Sequence, residues 1–66
     1  MHLFILKSGN DYIRVREDRY QCVKLDKASV FPENLMDEVR QHETELKKQG
    51  FSNVCIKRLV LTEEDI

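Results

Sequence analysis

Tryptophan is absent from this sequence, proline occurs once, and glycine and cysteine occur twice each in 66 residues. Two cysteines exclude a scaffold held by several disulfides, and without a signal-peptide pattern they point to a cytoplasmic chain with reduced thiols. No apolar run reaches the length that spans a bilayer, so no membrane association is expected. Charge of one sign is missing too. The 11 Lys and Arg against 12 Asp and Glu give a net charge of -1, which argues against a general polyanion binder held by phosphate neutralisation. Gly9 and Gly50 are isolated, and neither belongs to a phosphate-cradling loop. A chain of this length forms one domain that buries only about 60% of its unfolded surface; with disulfides excluded, self-association is the natural source of further stability.

The clearest pattern that is present runs from Ala28 to Lys57. Pro32 suits the first turn of a helix, where its missing N–H would be unpaired anyway. Leu35, Met36, Val39, His42 and Leu46 then recur at spacings of three and four, which places them on one stripe that should be buried. Glu33, Asp37 and Glu38 near the start and Lys47 and Lys48 in the last turn complement the helix dipole, and Glu43 stands four residues before Lys47. Gly50 supplies a left-handed stop, and Phe51 beyond it can fold back on the last turn. The pattern predicts a helix near residues 32–49.

Ahead of the helix, His2 to Leu6 is continuously apolar and Gly9-Asn10 follows it. Glycine at the first central position suits a type II′ hairpin turn, which sets Leu6 opposite Ile13 and Phe4 opposite Val15. Glu17-Asp18 marks a second turn that pairs Val15 with Tyr20 and Ile13 with Cys22. Alternation with period two then gathers His2, Phe4, Leu6, Ile13, Val15, Tyr20 and Cys22 on the side that the helix should cover. Asn53 to Leu61, rich in Val, Ile and Leu, forms the final strand. A right-handed crossover through the helix would leave it parallel to the third strand and so to the first, and the apolar first strand suits a central position beside it.

The expected fold is therefore α+β, a single domain over residues 1–62 with the plan β-β-β-α-β. It has a four-stranded mixed sheet in the order 4-1-2-3 and one helix packed on one face; the final strand beside the third is the alternative. Residues 63–66, which include Glu63, Glu64 and Asp65, read as an acidic flexible tail.

Leu3, Ile5, Tyr12, Arg14, Arg16, Arg19, Gln21, Val23 and Leu25 fall on the other side of that sheet. One helix cannot cover both faces, and a contiguous uncovered apolar patch marks an interaction site. Leu3, Ile5, Tyr12, Arg14, Arg16, Arg19 and Val23 are the expected partner-binding residues. Self-association, face to face or edge to edge, would bury Leu3, Ile5 and Val23, so a homodimer or a protein partner leads. The alternative is a nucleic-acid module in which Tyr12 stacks on a base and Arg14, Arg16 and Arg19 meet phosphates. It lacks a basic excess and has one well-placed aromatic. A plainer reading makes the arginines solvated strand residues whose stems cover apolar surface.

Catalysis needs a nucleophile beside a base, paired carboxylates in a cleft, or a metal with open coordination. None has a recognisable spacing here, so no enzyme and no cofactor is expected. His42 on the apolar stripe reads as a hydrogen-bonded, half-buried structural residue. Cys22 and Cys55 lie within strands as small hydrophobes, and with His2 and His42 they lack the spacing of a zinc site.

The stretch Asp11-Tyr12-Ile13-Arg14-Val15, then Asp26-Lys27-Ala28-Ser29-Val30-Phe31-Pro32, then Gly50-Phe51-Ser52-Asn53-Val54-Cys55-Ile56 resembles short uncharacterised proteins of bacterial genomes and prophages. The resemblance covers most of the chain and implies a hairpin, strand, helix, strand plan of bacterial or phage origin. It brings no catalytic residue and no function with it.

Overall fold

Strand β1 (His2–Ser8) turns through Gly9 and Asn10 into β2 (Asp11–Val15), which turns through residues 16–19 into β3 (Tyr20–Val23); the computed structural model describes residues 2–60 and 62–66. Gly9 has a φ of +61° and Asn10 is not in the positive region, the sign pattern of a type II′ turn. The second turn closes with the Arg16 N–H donating to the Arg19 carbonyl at 2.9 Å. It sets Val15 opposite Tyr20 and Ile13 opposite Cys22, as a two-residue turn at Glu17-Asp18 predicts.

Backbone pairing between β1 and β2 stops after Lys7–Tyr12 and Ser8–Asp11. The expected pairs Leu6–Ile13 and Phe4–Val15 do not form because another segment enters the gap. After a 3-10 turn at Leu25–Lys27 the chain runs back as a short strand, β4 (Phe31–Pro32), which pairs antiparallel with β1 at Phe4 and Leu3. On the way, the Ser29 N–H donates to the Ile13 carbonyl at 3.1 Å, and the Val15 N–H donates to Ser29 Oγ at 2.9 Å. Residues 29–32 thus wedge between β1 and β2 and satisfy backbone groups that the splayed hairpin would leave unpaired. The sheet has five strands rather than four. Pro32 closes β4 instead of opening the helix; a 3-10 turn (Glu33–Leu35) leads from it into α1 (Met36–Lys48).

The same wedge corrects the direction of the final strand. The helix is entered from β4, which runs antiparallel to β1, so a crossover that keeps the next strand parallel to β4 leaves β5 (Val54–Val60) antiparallel to β1. β5 lies beside β1 as expected, paired from His2–Val60 to Ser8–Val54, but every paired neighbour in the sheet is antiparallel. Leu61, the expected end of that strand, lies outside the described residues.

The helix ends in a Schellman pattern. Phe51 N–H donates to the Leu46 carbonyl and Gly50 N–H to the Lys47 carbonyl, both at 3.1 Å, with Gly50 at a φ of +91°. Val39 and Leu46 of α1 are fully buried against Phe4, Leu6, Ile13 and Phe31, and Leu35, Met36 and Phe51 pack around that core. His42 is half-buried, with Tyr20 Oη 2.8 Å from its Nδ1 and its ring 5.7 Å from that of Phe31. The helix lies over β5, β1 and β4. Cys22, on the outer strand β3, lies beyond it and is exposed rather than covered.

Candidate interaction surface

Residues directly opposed across a ladder share a face of the sheet. The registers therefore place Leu3, Ile5 and Lys7 of β1, Tyr12 and Arg14 of β2, Gln21 and Val23 of β3, and Cys55, Lys57 and Leu59 of β5 on the side away from the helix. Leu3, Tyr12, Val23 and Leu59 are half-buried. Ile5 is not the exposed anchor that the sequence suggests: it is only 2% exposed, and it stands outside the helix-side core. Its strand is paired on both edges, Lys57 is directly opposite, and Leu3 and Lys7 stand two residues away on its own strand. Among the described residues no second layer packs on this side, so Lys57, Leu3 and Lys7 are its register neighbours on the face.

The three arginines do not form one row. Arg14 lies on the sheet, half-buried, and its guanidinium donates to the Lys27 carbonyl at 3.4 Å. Arg16 and Arg19 lie in the exposed turn between β2 and β3, with Arg16 Nε donating to Gln21 Oε1 at 3.0 Å. Leu25 sits in the 3-10 turn off the sheet and is 46% exposed. Sequence reasoning missed the contribution of β5. The alternation of Val54 and Ile56 with Cys55, Lys57 and Leu59 was the signal, legible once the pairing partner of that strand is fixed.

Charge on this molecule is segregated. The strands carry Lys7, Arg14, Lys57 and Arg58 against one acid, Asp11, and Asp11 opposes Ser8 on the helix-side parity. The open face accordingly bears Lys7, Arg14 and Lys57 with no carboxylate among them. Lys7 Nζ stands 4.9 Å from the centroid of the Tyr12 ring, a cation–π contact that occupies the aromatic surface. The helix and its lead-in turn carry Glu33, Asp37, Glu38, Glu43 and Glu45 against Arg40, Lys47 and Lys48. Thr62–Ile66, with Glu63, Glu64 and Asp65, are exposed and without regular structure.

Beside this face, β5 pairs with β1 alone over its seven residues, so its outer backbone edge is open among the described residues. A shallow groove between the turn at residues 16–19 and the helix is lined by Arg16, Arg19, Tyr20, His42 and Glu45. Burial first, and the Glu45 charge second, raise the Tyr20 phenol above the ordinary tyrosine value. Among the described residues no group of three or more His, Cys, Asp or Glu is placed to hold a metal ion. No helix among them is long and apolar enough to cross a membrane. No family model, no curated protein and no solved structure matches the chain.

Proposed function

We propose that the chain is a small non-catalytic contact module that self-associates through the uncovered side of its sheet. The observation that carries this is the single layer of cover among the described residues: α1 packs on one face, and Leu3, Tyr12, Val23 and Leu59 are only partly buried on the other. A domain this small buries a modest share of its surface, and a second copy is the simplest source of the missing cover. The contact is not a symmetric stacking of two open faces, because that would bring Lys7, Arg14 and Lys57 against their own copies. Two unpaired cysteines, Cys22 and Cys55, support a cytoplasmic setting for the module, in which such thiols stay reduced.

Light scattering across a range of concentrations at low and high salt tests this. A mass near twice the 7.9 kDa of one chain, rising with concentration, supports self-association. A mass of one chain under every condition refutes it.

The cation excess of the strands favours nucleic acid as a second reading, held by phosphate contacts rather than by stacking on Tyr12, whose ring Lys7 already covers. It predicts that Arg14→Ala together with Lys57→Ala abolishes RNA or DNA retention. Retention unchanged by that double substitution removes this face from consideration.

A further inference from the structure

We infer that the acidic segment Glu63–Asp65 of one copy docks across Lys7 and Lys57 on the open sheet face of a second copy, the two copies exchanging tails. This rests on the self-association proposed above and names the element that makes the contact. The charges are complementary: the open face holds cations without a carboxylate, and the exposed residues that follow β5 hold three consecutive acids.

The spacing matches as well. Lys7 opposes Cys55 and Ile5 opposes Lys57, so Lys7 and Lys57 are diagonal neighbours on one face, roughly 7–8 Å apart. In an extended segment, alternate residues point the same way at a repeat of about 7 Å. Glu63 and Asp65 can therefore meet the two lysines together. Glu64 and Ile66 then point away, which leaves the fully exposed Ile66 free of the contact.

A copy cannot serve itself in this way. β5 ends at Val60, and Lys7 opposes Cys55, five residues back along the strand, or about 17 Å. Asp65 is also five residues beyond Val60, and a reversal of the chain consumes at least two of them. A tail that folds back reaches the Arg58–Lys57 level and stops short of Lys7. In a second copy approaching with the tail already extended, both lysines are within reach, and reciprocal docking gives a closed two-fold pair.

The test is a charge swap read by sedimentation equilibrium at low and high salt, with circular dichroism to confirm that each variant is folded. Wild type should associate at low salt and weaken as salt is added. K7E/K57E alone and E63K/E64K/D65K alone should each associate about tenfold more weakly, the combined effect of a few exposed charge pairs. An equimolar mixture of the two variants should recover association as a mixed pair. If wild type is a monomer throughout, self-association itself fails. If wild type associates but the tail reversal associates equally well, or the mixture recovers nothing, tail docking is overturned and another surface makes the contact.

Discussion

Replacing Ile5 with alanine separates a residue that holds the fold from one that waits for a partner. Ile5 lies on the uncovered face and yet is 2% exposed, so its apolar surface is already removed from water within one copy. Truncation of a buried isoleucine costs about 2–5 kcal/mol. The lower part of that range applies, about 2–3 kcal/mol, because a site on a face with no packed layer among the described residues can partly collapse. A chain of this length has a total stability on the order of 3–10 kcal/mol, and each kcal/mol moves its midpoint by about 4–8 °C. Ile5→Ala should therefore lower Tm by roughly 8–24 °C. Thermal and urea unfolding at low and high protein concentration, with Leu59→Ala as the comparison, reads this out. Ile5→Ala should be destabilised at every concentration, whereas half-exposed Leu59→Ala should lose mainly the stabilisation that grows with concentration, since a partner that binds only the folded state stabilises by mass action. A loss below about 0.5 kcal/mol for Ile5→Ala, the level of an ordinary surface change, would refute the assignment of Ile5 to the interior of one copy.

Gly50→Ala should cost about 1–2 kcal/mol in urea unfolding, because Gly50 sits at a φ of +91° with open space where a Cβ would stand, so that the penalty is backbone conformation alone. A neutral effect would mean that the helix stop is not strained by a side chain. Tyr20→Phe should cost about 0.5–1.5 kcal/mol near neutral pH through the lost contact with His42. Burial first, and the Glu45 charge second, favour the neutral phenol on folding, so the stability of wild type relative to Tyr20→Phe holds below about pH 10 and falls as pH rises through the raised folded value; an unfolding free-energy difference between the two proteins that is flat from neutral to alkaline pH would contradict it. Ser29→Ala should cost about 1–3 kcal/mol by stranding the part-buried Val15 N–H, with Ser29→Thr retaining most of the stability; equal stability of the alanine and threonine variants would show that the hydroxyl does not hold the wedge.

The helix, its stop and its buried stripe were legible because each is written in several residues at once: Leu35 to Leu46 at helical spacing, Gly50 at a position that demands positive φ, and Phe51 placed to return. The two turns were legible for the same reason, since Gly9 and Glu17-Asp18 fix the registers that follow them. β4 was not. Two residues cannot display a period, Pro32 carries a stronger signal for a helix start than for a strand end, and the bonds that lock the segment in place come from the Ser29 hydroxyl and backbone. Missing that one reversal turned the final strand round. The burial of Ile5 was illegible on a different ground: counting layers over a sheet takes no account of neighbours within the same face, and Ile5 is 2% exposed with Lys57 directly opposite.

The two-residue strand also decides where the acids of the chain can go. With β5 parallel to β1, the segment after it would leave the sheet at the Gly9 end, beside Lys7, and one copy could neutralise its own face. With β5 antiparallel, Val60 lies opposite His2 and the acids leave at the far end, where their own Lys7 is out of reach and the lysine pair cannot be met together. Lengthening the connection should reverse this outcome. A flexible Gly/Ser insert of about ten residues after Val60 has a typical span of about 17 Å, enough to bring Glu63 and Asp65 back over Lys57 and Lys7 of the same copy. The insertion variant should then be a monomer at concentrations where wild type pairs, and adding K7E/K57E to it should not restore pairing. Sedimentation equilibrium checks both. A variant that pairs as tightly as wild type despite the insert would show that the direction of β5 does not set the choice between self-neutralisation and exchange.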